Sequence, residues 1–202
     1  MAKHLILLLS VVFPITVFGY GLGISTHPLG LQKKIINAEV GGVISNGTGA
    51  GVQARYVQKI NPVMVIDGGI GASGGDRSSR FFLGSDFLIL PDYGYQPRFS
   101  LKTTLENAKE FGGRHNILSV SPTVSKGFSF WGYEAYPFVG LPVGLNLDND
   151  SKTYNSQIMA ALGATGRIPI KGYERFMANL EGNINIKDGY SSVFVGISYP
   201  LN

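Results

Sequence analysis

The chain has 202 residues, of which only 15% are charged, and it contains 28 glycines and no cysteine. That charged fraction lies well below the roughly 25% of ordinary soluble domains. The lack of cysteine excludes disulfides, cysteine-based zinc sites and a lipid-anchored N-terminus, and the diffuse net charge of +4 gives no basic stripe for nucleic-acid binding.

The first nineteen residues are typical of a cleaved secretory signal peptide. Lys3 and His4 form a short basic start, residues 5–17 are almost wholly apolar, and Gly19 supplies a small residue at the cleavage point. The apolar run is short for a membrane-spanning helix, which needs about 20 residues. We therefore expect removal of residues 1–19, with residues 20–202 forming a single exported domain.

Residues 20–33 carry no clear periodicity. Residues 21–25 have the composition of a short strand, and residues 27–30 have that of a turn or bend. A separate strand here would make eleven, whereas bacterial single-chain barrels have an even count. The sequence leaves three placements open for this stretch. It lengthens the first strand, lies inside a barrel, or replaces one of the weaker strands.

From Lys34 onwards, apolar residues alternate with polar or small ones in successive runs. Alternation with a period of two is typical of β-strands whose two faces meet different surroundings. The connections contain turn-forming residues, as at Lys126-Gly127 and Asp188-Gly189. The predicted strands are 34–45, 49–60, 63–73, 80–90, 97–108, 114–125, 128–146, 153–168, 173–186 and 190–200.

The strand pattern and the low charge together predict the fold class. After the N-terminus, no apolar run approaches the ~18 residues of a membrane helix. A membrane protein without such helices must be a closed barrel, because lipid cannot satisfy the open edges of a sheet. We predict an all-β, closed antiparallel up-and-down transmembrane β-barrel of eight to ten strands, with ten preferred.

The two faces of the predicted strands differ in charge. One face is apolar, with residues such as Val40, Val52 and Ile197, whereas the other holds nearly all charges outside the turns. A basic residue facing lipid at mid-membrane would cost about 2–4 kcal/mol, so the polar face should line the lumen. The predicted lumen residues for polar contacts and ion pairs are Glu39, Arg55, Asp67, Asp86, Lys102, Glu134 and Glu181.

Counting residues from the expected turn centres predicts which charges meet. A first turn centred on Gly47 places Glu39 opposite Arg55. A second turn centred on Asn61 places Arg55 opposite Asp67. Side chains directly opposite on neighbouring strands are close enough to pair. The count therefore predicts a ladder of ion pairs across the first three strands.

A fourth turn centred on Gly94 similarly places Asp86 opposite Lys102. Two interpretations of these charges remain open. They form a constriction that selects solutes, or they fill a narrow lumen as a polar plug. Barrels of eight to ten strands leave little open space, which favours the plug.

The odd-numbered turns are more polar, and the even-numbered turns are richer in proline. Outer-membrane barrels have short periplasmic turns and longer outer loops. This contrast favours odd turns facing outward and both termini in the periplasm. Aromatic residues near the predicted strand ends, such as Tyr93, Tyr95 and Tyr173, suit the membrane interface.

The chain resembles the small bacterial outer-membrane β-barrel proteins. The resemblance is carried by the signal-like residues 3–19, the series of hairpins and the alternating final strand 191–199, which ends in Tyr199 and is followed by residues 200–202. It implies localisation in the bacterial outer membrane. It also implies outer-membrane lipids and the outer-membrane assembly machinery as partners.

No catalytic, cofactor-binding or metal-binding residues are assigned. A hydrolase needs a base within hydrogen-bond reach of its nucleophile, but His115 and Ser119 on one extended strand are about 13 Å apart.

We expect a non-enzymatic barrel with a structural role in the envelope and, as an added activity, passive passage of small solutes through a narrow polar lumen. The alternatives are a lipid-modifying hydrolase or acyl enzyme on the same barrel, and a secreted soluble ligand-binding barrel with reversed faces. The oligomeric state is left open.

Overall fold

The computed structural model describes residues 21–24, 26–45, 49–130 and 133–201. The expected signal peptide, residues 1–19, lies outside these ranges, as do Tyr20 and Trp131. Within them, no helix is long and apolar enough to cross a membrane.

Twelve β-strands form in the described part of the chain, and every pair of neighbours is antiparallel. They are β1 Lys34–Ser45, β2 Gly49–Asn61, β3 Met64–Ser73, β4 Arg77–Leu90, β5 Arg98–Glu110, β6 Gly113–Ser125, β7 Phe128–Phe130, β8 Tyr133–Gly140, β9 Val143–Asp148, β10 Tyr154–Arg167, β11 Met177–Lys187 and β12 Ser191–Leu201.

The described strands occupy ten positions around a closed ring. β12 pairs with β1, with Val195 opposite Val40, and β10 pairs with β11, so pairing continues all the way round. β8 and β9 share one position between β6 and β10. They are interrupted at Leu141 and Pro142, where proline has no N–H for the ladder. The predicted closed antiparallel barrel, with ten strand positions preferred, is confirmed.

The sixth turn differs from the prediction. The chain passes through Lys126-Gly127 without reversing, and β7 continues β6, so that Phe128 lies opposite Ala135 on β8. The pairing of Phe130 with Tyr133 shows that the chain has reversed between these two residues, so 128–130 belong with the sixth strand rather than the seventh. Asp92, from the connection between β4 and β5, holds this region by accepting hydrogen bonds from the Lys126 ammonium and the Gly127 N–H.

The connection before β11 is also longer than predicted. β11 begins at Met177 rather than at residue 173. Two consecutive turns precede it, in which the Tyr173 N–H donates to the Ile170 carbonyl and the Phe176 N–H donates to the Tyr173 carbonyl. Aromatic residues are common in β-strands, which is why the sequence predicts residues 173–176 as part of a strand, but here Tyr173 and Phe176 lie in a loop.

The outer face of the barrel is apolar and the inner face is polar. Val40, Val52 and Val139 are each more than half exposed on the outside. The buried inner face carries Asn, Gln, Ser, Thr and charged side chains. A soluble ligand-binding barrel would need the opposite arrangement, so that alternative does not fit. Near the strand end at Tyr199, this residue, Phe176 and Tyr173 form an aromatic cluster, with ring centroids 5.2 and 5.9 Å apart.

Part of the stretch before β1 lies in the lumen. We call residues 21–26 the luminal segment, of which all but Ser25 are described. It enters from the end of the barrel where β1 begins and β12 ends, which we call the terminal end; the opposite end is the far end. Leu22 and Ile24 are 8% and 6% exposed and belong to an apolar cluster with Phe138 and Met159. This resolves the three placements that the sequence left open.

Candidate functional site in the barrel lumen

The luminal segment is bound by its main chain on one side to a single carboxylate. Glu181 on β11 accepts the N–H groups of Leu22, Gly23 and Ile24, the last two at 3.0 and 3.2 Å. Gly23 has a φ of 69°, a left-handed conformation that turns neighbouring N–H groups towards one point. Asn183 donates a fourth hydrogen bond to the same carboxylate, at 2.9 Å. Among the described residues, the segment thus donates three of the four hydrogen bonds that the Glu181 carboxylate accepts.

On the other side, cationic side chains hold the carbonyl groups of the segment. The Gly23 carbonyl accepts hydrogen bonds from the Arg55 guanidinium and from Lys102 Nζ, the latter at 2.9 Å. The Gly21 carbonyl accepts one from Arg80. A Cβ atom at Gly23 would lie 3.0 Å from Arg55 Nε, so both the space and the positive φ require glycine here.

Each of these three cations also has a carboxylate partner. The ion pairs are Arg55–Glu39 at 2.6 Å, Lys102–Asp67 at 2.7 Å and Arg80–Glu106 at 2.7 Å. All six side chains are less than a tenth exposed. Buried charges persist only when paired and hydrogen-bonded, which these pairs and the segment's carbonyl groups achieve together.

The Glu39–Arg55 pair forms diagonally rather than directly across the strands. The first hairpin places Gln53 opposite Glu39 and Asn37 opposite Arg55, two residues away from the pairing expected for a turn centred on Gly47. Because Arg is long, it still reaches Glu39. Gln53 also donates to Glu39, at 2.7 Å, so the carboxylate has two buried partners.

The predicted contact between Arg55 and Asp67 is replaced by another. The register places Gly69 opposite Arg55. Asp67 instead reaches across β4 to Lys102 on β5. It can do so because its direct neighbour on β4 is Gly84, where a Cβ would lie only 2.6 Å from Asp67 Oδ1.

Asp86 lies directly opposite Lys102 in the register, as the residue count predicted, but the two do not form the ion pair. Asp86 pairs with Arg98, at a level nearer the terminal end. Glu134 is exposed and stands apart from these pairs, accepting a 3.2 Å hydrogen bond from the Tyr136 hydroxyl. The structure therefore brings together five of the seven predicted residues around the segment, leaving Asp86 and Glu134 towards the terminal end.

Sequence reasoning missed several charged lumen residues. They are Arg77, Arg80, Arg98, Glu106 and Glu110. The alternation held the signal for some of them, because Arg80 shares the inward face of β4 with Asp86, and Glu106 shares that of β5 with Lys102. No sequence signal identifies the main chain of residues 21–24 as the group that these charges bind.

The middle of the lumen is filled, whereas both ends are open. Two cavities beside the luminal segment measure about 10 Å³ each, about the space that one water needs. At the terminal end lies a cavity of about 210 Å³, lined by residues including His27, Leu29 and Arg98. At the far end lies one of about 490 Å³, lined by Arg77 and Glu110 among others. The segment thus separates two vestibules.

The far-end vestibule contains His115, which is assigned no catalytic role from the sequence. His115 Nδ1 lies 3.0 Å from Asn146 Oδ1, an amide oxygen that is not a nucleophile. Among the described residues, no group of three His, Asp or Glu side chains is placed to hold a metal ion.

Asp92, in the connection between β4 and β5, has a shifted pKa. Burial tends to raise the pKa of Asp92, but hydrogen bonds from Lys126 and the Gly127 N–H, together with the lysine charge, hold it below its ordinary value. Asp92 is therefore a charged anchor for the extension of β6 into β7.

No protein-family model matches the sequence, and no curated protein matches it. Among solved structures, a de novo designed transmembrane β-barrel is 16% identical, with a TM-score of 0.43, over 86% of this chain and 98% of the design. The N-terminal β-barrel domain of Pseudomonas aeruginosa OprF is 14% identical, with a TM-score of 0.38, over 86% and 100%. KdgM porin is 12% identical, with a TM-score of 0.37, over 84% and 99%. The fold assignment rests on the strand pairing of this chain itself.

Proposed function

We propose that the protein is an integral β-barrel of the bacterial outer membrane, with a structural role in the envelope and a lumen closed by its own N-terminal segment. The apolar outer face supports contact with outer-membrane lipids. The aromatic cluster near Tyr199 supports a membrane–water interface at the terminal end. In this proposal the terminal end faces the periplasm, and the signal peptide is removed near Gly19 during export.

One observation carries the closed state: the luminal segment is bound through its main chain from both sides. Glu181 takes three of its N–H groups, and Arg55, Arg80 and Lys102 take its carbonyl groups. The segment lies against these side chains and leaves room for about one water in each of two cavities beside it. Hydrated solutes therefore do not pass while it is in place.

Passive passage of small solutes then requires the segment to leave the middle of the lumen. Once the signal peptide has been removed as proposed, residues 27–33 connect the segment to β1, so it can withdraw towards the terminal end without breaking any strand pairing. Its departure would join the two vestibules into one polar path. Solute passage is thus a second, conditional activity of a barrel whose resting state is closed.

Fractionation of cells expressing the full chain tests the membrane assignment. We expect the protein in the outer-membrane fraction, with faster gel migration before heating than after, and a mature N-terminus near Tyr20. Recovery of the mature protein in the soluble fraction without detergent would contradict the proposal.

Planar-bilayer recordings of three full-length proteins test the closed lumen. The wild type should conduct little. Gly23→Val adds a side chain against Arg55 at a positive φ and should raise conductance severalfold. Gly30→Ala, in the same stretch, meets only the flexible Lys33 side chain and should behave as the wild type. Equal, high conductance of all three proteins would contradict the proposal that the segment closes the lumen.

A further inference from the structure

The charges buried in the lumen do not balance without the luminal segment. Among the described residues, five carboxylates and four cationic side chains are less than a tenth exposed. The carboxylates are Glu39, Asp67, Glu106, Glu110 and Glu181, and the cations are Arg55, Arg77, Arg80 and Lys102. One negative charge is therefore left over.

That charge belongs to Glu181. The other four carboxylates each form an ion pair with one of the four cations. Within the part of the chain that the structure describes, no cationic side chain lies in ion-pair contact with Glu181. Arg55 and Arg80 are close enough to attract it, but they are bonded to Glu39 and Glu106.

Among the described residues, the positive partners of Glu181 in the luminal segment are the partial charges of its N–H groups. Three consecutive N–H groups converge on the Glu181 carboxylate, and hydrogen bonds to a charged acceptor are stronger than those between neutral groups. When the segment leaves, Glu181 keeps only the Asn183 amide. Arg55, Arg80 and Lys102 lose carbonyl acceptors too, but each retains its carboxylate.

We infer that the segment occupies a cation site, and that Glu181 is the residue that makes the vacated lumen selective for cations. The inference rests on the proposed function, since it concerns the lumen after the segment has withdrawn. A small monovalent cation such as K⁺ replaces the three N–H groups as the partner of Glu181. Rings or single charges at narrow points of a pore select ions by the same electrostatics.

The test uses full-length protein in planar bilayers, with a KCl gradient across the membrane and the reversal potential as the readout. Two variants open the lumen independently. Gly23→Val disturbs the segment at Arg55, and Leu22→Asp puts a carboxylate into the apolar cluster of Phe138 and Met159, where its burial is costly. Either variant serves if the other fails to open or to fold.

In each opened background we expect K⁺ permeability to exceed Cl⁻ permeability severalfold. Adding Glu181→Gln should bring the ratio towards unity. Glu134→Gln removes the same kind of charge from an exposed position and should leave the ratio unchanged, so it is the matched control.

The outcomes separate this inference from the proposed function. If the wild type conducts as freely as the opened variants, the closed state is wrong. If the opened variants conduct more than the wild type but prefer Cl⁻, show no preference, or ignore Glu181→Gln, the cation site is wrong and the closed state stands. If no variant conducts, the vacated lumen has no ion path and the inference is overturned, while the structural role remains.

Discussion

Asp67 on β3 and Lys102 on β5 form a buried ion pair with 2.7 Å between Oδ2 and Nζ, although a whole strand separates them. The strand between them passes at Gly84, whose missing side chain leaves the path clear. Lys102 then still reaches the Gly23 carbonyl in the luminal segment. The absence of a side chain on β4 therefore helps to hold residues 21–26.

A methyl group at Gly84 should break this arrangement. In Gly84→Ala, the new Cβ would lie 2.6 Å from Asp67 Oδ1, so the carboxylate must move away from Lys102. We expect a loss of about 1–3 kcal/mol in the free energy of unfolding, as for other overpacked interiors. Urea unfolding measures it, followed by the loss of the fast-migrating band on unheated gels.

Gly182→Ala is the control for Gly84→Ala. Its new Cβ would meet nothing closer than 3.8 Å, so its unfolding midpoint should stay near that of the wild type. Equal destabilisation by both substitutions would mean that glycine in a strand, and not the space beside Asp67, decides the effect.

The Glu39–Arg55 pair should show strong coupling. Glu39→Gln leaves the Arg55 guanidinium buried without its carboxylate, which costs about 3–5 kcal/mol for such pairs. Arg55→Met likewise leaves the Glu39 carboxylate buried without its cationic partner, at a similar cost. The double variant removes both charges and should lose clearly less than the sum of the two single losses.

A double-mutant cycle measures this coupling through the fluorescence of Trp131, the single tryptophan, during urea unfolding. Additive losses would show that the two charges do not depend on one another in the folded barrel.

The contact between Asp92 and the start of β7 should respond to acid. Because the folded pKa of Asp92 is lowered, its contribution is complete above the unfolded value of about 4 and disappears as the pH falls through the lower folded value. Hydrogen exchange at the Gly127 amide, which donates to Asp92 at 2.7 Å, should lose protection over that range after correction for intrinsic rates.

Asp92→Asn should abolish this pH dependence. The ion pair is about a quarter exposed, so global stability should change by less than about 1 kcal/mol. A large loss of global stability in Asp92→Asn would contradict the assignment of a local role.

Shortening Ile24 should loosen the luminal segment without unfolding the barrel. Ile24 is 6% exposed within the apolar cluster, and Ile→Ala changes at buried sites cost about 2–5 kcal/mol. Here the lost free energy is that of docking the luminal segment in the lumen, not that of folding the barrel. Brief conducting events should therefore become more frequent in bilayer recordings, while the unfolding midpoint shifts little. Leu31→Ala, at a position 56% exposed, should change neither quantity.

Period-two alternation predicted the strands and faces well, because every strand has lipid-facing and lumen-facing residues in turn. Register was predicted less well, since it depends on turn length. The first turn is centred one residue before Gly47, and as a result Asn37, not Glu39, lies opposite Arg55. The sixth turn was misplaced because Gly127 looks like a turn residue, yet a distant Asp92 keeps the chain extended there.

The position of the luminal segment was beyond prediction for another reason. Its bonds to Glu181 connect residues about 160 positions apart, and they use main-chain groups that every residue possesses. Only the closed barrel brings Glu181, Arg55 and Lys102 around one short stretch. The sequence shows the charges but not the group that they share.

The hydrogen bonds of the luminal segment also affect how the barrel resists separation of its first and last strands. Arg55 lies on β2 and Glu181 on β11, on opposite sides of the seam where the first and last strands meet. Residues 21–24 span the ring as a chord between them. Parting β1 from β12 therefore strains this internal cross-tie as well as the ladder of the seam, and the circular cross-section is braced from within.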